Sequence, residues 1–143
     1  MAFWARVAGL VLCVVLLPGC SQQSSATDDL IHALTETHSA VASSILAVEL
    51  YDQQRSTRAV TDTVLGDMSK QAVDAESALE SVSVDSAQLQ SDRDAALAAI
   101  QSGVAALFTS RDNFSQHGAV DTAGLESADQ QVNEVLNQLR GSR

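Results

Sequence analysis

The chain has one proline, Pro18, and two cysteines, Cys13 and Cys20. With so few, nothing after Pro18 forces a helix to stop, and no disulfide framework is available. Strand signals are missing as well. No alternating Val/Thr/Tyr runs occur, and there is no Asn-Gly or Asp-Gly hairpin pair. Basic residues number 8 against 18 acidic ones, for a formal charge of −10. A chain without a Lys/Arg patch cannot displace the counterions of a nucleic acid, so that class of partner is excluded. Gly-x-Ser-x-Gly, His-Glu-x-x-His, Cys-x-x-Cys and a phosphate-cradling glycine loop are all absent, and with them the familiar hydrolases, zinc proteases, dithiol redox enzymes and nucleotide-binding enzymes.

The first conspicuous presence is an apolar run, "VAGLVLCVVLL", at residues 7–17 after a start with one positive charge, Arg6. Eleven residues suit the core of a signal peptide and fall short of the roughly 20 that a membrane-spanning helix needs. The run closes on Leu17-Pro18-Gly19-Cys20. This resembles the lipobox of bacterial lipoproteins, with Leu17 and Gly19 at the usual positions and Pro18 departing from the more frequent small or hydroxylated residue. The resemblance implies cleavage before Cys20 by signal peptidase II and a diacylglyceryl group on the Cys20 sulfur, as in palmitoylated lipoproteins. Removing residues 1–19 would leave 124 of the 143, with seven basic residues against 18 acidic. An acylated Cys20 is neither nucleophile nor metal ligand. Two or more acyl chains anchor a protein stably at a bilayer, and so acidic a body is repelled by anionic headgroups.

Residues 20–27 read as the lipidated cysteine and a polar tether, "SQQSSAT", and residues 28–143 as one helical domain. Four amphipathic segments follow from apolar residues at helical spacing. The first opens at Asp28 or Asp29, carries Leu30, Leu34, Val41, Ile45 and Val48, and ends near Tyr51. After the polar run "DQQRSTR" the second carries Val60, Val64, Met68, Ala72, Ala75, Leu79 and Val82. The third starts after Asp85, carries Leu89, Leu97, Ile100, Val104, Leu107 and Phe114, and stops at His117-Gly118. The fourth is capped by Asp121 and carries Leu125, Ala128, Val132, Val135 and Leu139. Each stripe is too narrow to be stable alone, so the stripes must face one another. The expected fold is all-α: an antiparallel four-helix bundle with a core of small aliphatic side chains and no obvious room for haem or lipid.

A bundle invites the test for a carboxylate-bridged di-metal site, which needs Glu-x-x-His on two helices. None of the six glutamates has a histidine three residues on, so no metal or other cofactor is expected. His32 and Glu36 stand one turn apart as an exposed pair. His38 borders the apolar face and is expected to bond a neighbour. His117 falls in the last turn of the third helix, where an imidazolium suits the dipole. Asp92-Arg93-Asp94 lacks the later residues of a calcium loop. Arg55 and Arg58 sit together at one bundle end. As structure, Arg55 would compensate the end of the first helix and Arg58 would be exposed; as function, both would meet an anionic partner.

These readings converge on a non-enzymatic lipoprotein of the cell envelope, held to the cell membrane through Cys20 on the extracytoplasmic face. It would act as a binding or scaffolding module for an envelope protein, with Arg55 and Arg58 as partner contacts. In layout it resembles the small uncharacterised helical lipoproteins of actinobacteria, a resemblance that implies location rather than activity. The competing expectation is a small-ligand or metal carrier using the bundle interior, with His38, Tyr51 and His117 as polar contacts.

Overall fold

A computed structural model describes residues 21–142, with backbone only for 21–24. The leader and Cys20 lie outside the described residues. Four helices make up the fold: α1 (Ser21–Asp52), α2 (Arg58–Glu80), α3 (Ala87–His117) and α4 (Ala123–Gly141). No strand occurs among the described residues, and no helix there is long and apolar enough to cross a membrane.

The expected start of the first helix at Asp28 or Asp29 is corrected: α1 begins at Ser21, and the stretch read as a tether is helical. No Pro or Gly in "SQQSSAT" opposes this, and Ala26, 7% exposed, already packs into the core beside Leu30. The junction after α1 is a turn, as its polar run suggests, and it closes without glycine. Gln54 takes a left-handed φ of 57°. Its N–H donates to the Tyr51 carbonyl and the Arg55 N–H to the Leu50 carbonyl, the two bonds of a Schellman motif. Thr57 then caps α2, its hydroxyl accepting from the Val60 N–H at 3.3 Å.

Ser86 caps α3 in the same way, accepting from Leu89 N–H at 3.1 Å. At the other end Gly118, φ 69°, turns the chain and donates to the Phe114 carbonyl at 2.8 Å. Asp121 accepts from Ala123 N–H at 3.1 Å, tying down the first amide of α4.

Buried positions recur every seven residues. Leu65, Ala72 and Leu79 line α2; Ile100, Leu107 and Phe114 line α3; Leu125, Val132 and Leu139 line α4. In α1 the heptad runs through Ala26, Ala33, Ala40 and Ala47. Heptad spacing is that of helices packed side by side at small crossing angles. The start of α1, the end of α2, the start of α3 and the end of α4 share one apolar cluster. Val48, Leu65 and Phe114 form another at the opposite end.

Cross-section and polar core positions depart from the simple stripe picture. α1 meets all three other helices, whereas α2 and α4 do not approach one another. Gly103 permits the diagonal contact: a Cβ there would lie 2.9 Å from the Thr37 methyl carbon of α1. In the first half of α2 the expected stripe is corrected by one residue. Thr61, Leu65 and Ser69 are buried, Val64 and Met68 are half-buried, and Val60 is 55% exposed. Thr37, Ser44 and Ser69 occupy core positions because each hydroxyl donates to the carbonyl four residues back, at 3.0, 2.9 and 2.7 Å. So satisfied, they pack as small apolar side chains.

Candidate interaction site

The residues singled out as carriers of chemistry fall at three separate places. His38, on α1, meets Asp129 of α4, with Nδ1 2.7 Å from the carboxylate Oδ1 and both side chains about a quarter to a third exposed. This is the neighbour-bonded histidine expected at the core edge. His32 and Glu36 stand 3.6 Å apart on the exposed side of α1. They border a groove of about 450 Å³ whose far wall is Ala78, Ser81 and Val82. Tyr51 lies far along α1 from His38, about 20 Å at 1.5 Å per residue. Its ring meets Phe114 edge to face, with centroids 5.0 Å apart. His117 is exposed in the last turn of α3. The fold therefore does not gather His38, Tyr51 and His117 around one interior cavity. No group of three His, Cys, Asp or Glu among the described residues is placed to hold a metal ion.

The structural roles expected of Arg55 and Arg58 are corrected. It is the backbone of Arg55 that closes α1, through its N–H to Leu50; its guanidinium makes no hydrogen bond or ion pair among the described residues. Arg58 is not simply exposed. Its Nη2 donates to the Ser115 carbonyl at 2.7 Å and to the Phe114 carbonyl at 3.4 Å, and its guanidinium carbon lies 6.0 Å from the Phe114 ring centre. The Ser115 carbonyl at the end of α3 is thus met by Arg58, at the helix end where the charge of His117 was expected to complement the dipole. Arg93 does the same for α2, donating to the Glu80 carbonyl at 3.4 Å. Arg140 reaches the Thr35 hydroxyl at 3.5 Å.

Beside Arg58 the α2–α3 seam opens a shallow groove of about 430 Å³, floored by Arg58, Ala59, Asp62 and Ser115. Ser115 donates to Asp62 at 3.2 Å. One turn along, the Arg111 guanidinium lies over Gly66: its central carbon would be 3.5 Å from a Cβ placed there. Phe108, one further turn along α3, is 43% exposed. The sequence held the signals for this seam, an aromatic and an arginine three residues apart on α3 and a glycine on α2. They were invisible as a set because the helix register that joins them is tertiary. Compared with family models, curated proteins and solved structures, the chain gives no match to any of them.

Proposed function

We propose that the chain is a lipid-anchored, non-enzymatic binding or scaffolding module of a bacterial cell envelope, displayed on the extracytoplasmic face as an antiparallel four-helix bundle. The antiparallel order is supported by the shared cluster of helix starts and ends. The observation that carries the reading is a juxtaposition in the chain. A signal-like run ending in Leu17-Pro18-Gly19-Cys20 is followed at once by a 32-residue helix. A diacylglyceryl group on Cys20, with a further acyl chain, would hold the chain at a bilayer. α1, which belongs to the bundle from Ala26 onward, would then direct the long axis of the body away from the bilayer over about 48 Å. The acidic surface opposes lying on anionic lipid. The core is filled throughout by fully buried Leu, Ile, Val and Phe side chains, which leaves the outer surface as the place for recognition.

The test is expression of the full chain in a bacterial host with labelled palmitate, with and without globomycin, followed by mass analysis of the N-terminal peptide. The expected result is label on a peptide beginning at Cys20, and accumulation of unprocessed precursor under globomycin. An unlabelled protein in the cytoplasm would sink the proposal.

A further inference from the structure

The groove of about 450 Å³ between the first half of α1 and the end of α2 carries charge of one sign. Asp29 and Glu36 line it from α1, and no lysine or arginine lines it from either helix. Asp29 makes no side-chain hydrogen bond or ion pair among the described residues, and Glu36 meets only His32, at 3.6 Å. Two arginines come near the groove along the chain and are turned to other partners. Arg140 reaches the Thr35 hydroxyl from α4, and Arg93 the Glu80 carbonyl from α3. Neither pairs with Asp29 or Glu36. Asp28, Glu76, Glu80 and Asp85 each stand within two residues of a lining residue, so acids outnumber bases around the groove.

The spacing of the two carboxylates selects among cations. Asp29 and Glu36 are two turns apart on one face of α1, about 10.5 Å at 1.5 Å per residue. One metal ion cannot span that gap with bonds of about 2.5 Å, and no group of three ligating side chains is placed to hold one among the described residues. Between the carboxylates the lining is apolar on both sides: Ala33 from α1, Ala78 and Val82 from α2. A volume of this size is that of a small-molecule site, typically about 300–1,000 Å³. The groove is thus negative at two separated points and apolar between them.

We infer that this groove binds a linear aliphatic diamine, a polymethylene chain with an ammonium at each end. One ammonium meets Asp29 and the other Glu36, while the methylenes lie along Ala33, Ala78 and Val82. An ammonium has more donors than one carboxylate contact uses, and the hydroxyls of Ser25 and Ser81 line the groove to accept the remainder. The formal charge of −10 adds a field that concentrates a dication near the surface. A basic peptide segment brings the same charge, but its backbone amides would face an alanine and valine lining that cannot bond them. The inference rests on the reading of the chain as a binding module, names its ligand, and does not depend on the lipid anchor.

The experiment uses the full chain, isotope-labelled and purified in detergent, at physiological salt. Amide chemical shifts are followed while five probes are titrated: octamethylenediamine, trimethylenediamine, octanediol, calcium chloride and a Lys-Ser-Ser-Lys peptide. Octamethylenediamine should give saturable shifts confined to the two segments that line the groove. Its binding should weaken about threefold with Asp29→Asn or Glu36→Gln, and about tenfold with both, as for partly exposed ion pairs. Trimethylenediamine, which reaches one carboxylate at a time, should bind more weakly by a similar factor, and the uncharged diol should not saturate. Asp112→Asn, an equal change of charge on the exposed surface near the end of α3, should leave binding unchanged. Far-UV circular dichroism of each variant checks folding, and the exposed Asp29→Asn keeps the test valid if Glu36→Gln disturbs α1. Absence of saturation by octamethylenediamine, equal binding of the short diamine, or indifference to Asp29→Asn overturns the inference. So does tighter binding of calcium or of the peptide at the same amides, which would assign the groove to a metal ion or to a protein segment. Mass analysis of the same preparation reports acylation separately, so failure of the anchor and failure of the groove are distinguishable.

Discussion

Gly103→Ala sets two opposed effects against each other, and the structure says which wins. In a helix interior, alanine is favoured over glycine by about 1 kcal/mol. Against that, the new Cβ would lie 2.9 Å from the Thr37 methyl carbon, closer than packed carbons approach. Thr37 cannot easily yield: it is fully buried, and its hydroxyl is tied to the Ala33 carbonyl at 3.0 Å. Rotating the methyl away breaks that bond inside the core. Overpacking of this kind costs about 1–3 kcal/mol, so the net change expected is a loss of about 0–2 kcal/mol.

The decisive comparison is the same substitution beside Thr37→Ser, which removes the methyl and keeps the hydroxyl bond. Alone, Thr37→Ser should cost about 0.5–1.5 kcal/mol, as for loss of one buried methyl. In its presence Gly103→Ala should become stabilising by about 1 kcal/mol. The double variant then returns close to the parent, with a coupling of about 1–3 kcal/mol between the sites. Urea unfolding followed at 222 nm measures all four proteins, and helical signal is the right probe because no tryptophan lies among the described residues. If Gly103→Ala stabilises equally in the parent chain and in the Thr37→Ser background, the close α1–α3 diagonal is refuted.

Three further outcomes follow from the helix ends and the one interhelical histidine. Gln54→Gly should stabilise by about 0.5–1 kcal/mol, since a non-glycine residue at φ 57° carries left-handed strain; an unchanged or lower urea midpoint would contradict this. Arg58→Ala should cost about 1 kcal/mol by uncapping the Ser115 carbonyl and removing the cation from the Phe114 ring, and amide exchange should quicken in the last turn of α3 before the rest of the bundle. A double-mutant cycle of His38→Ala and Asp129→Ala should give a coupling of about 0.5–1.5 kcal/mol for their 2.7 Å contact; strict additivity would show that the contact is absent in solution.

The four helices and most of their ends were legible because the physics setting them is local. Gly118 acts at the position its residue type suggests, while Asp121, expected to cap α4, stands one residue before the cap, Thr122, and holds the Ala123 amide from there. What escaped was whatever depends on the partner helix. Counting apolar residues favours Val60, Val64 and Met68 over Thr61, Leu65 and Ser69, because a hydroxyl is scored as polar whether or not its own helix satisfies it. The start of α1 escaped for a related reason: "SQQSSAT" has weak propensity, and only packing of Ala26 beneath Leu30 favours its helical form. The assignment of Arg58 failed because its acceptors lie 56 and 57 residues away on α3.

The placement of cations ties this architecture to its use. With 18 carboxylates and few bases, a surface built on ion pairs would set each arginine beside an acid. Here three arginines meet carbonyls or a hydroxyl instead, two of them at helix C-termini where the dipole concentrates negative charge. Exposed ion pairs contribute little in any case, so stability is left to the heptad core and the caps. The acids then stay uncompensated, and on the proposed reading that charge would hold the body off anionic lipid.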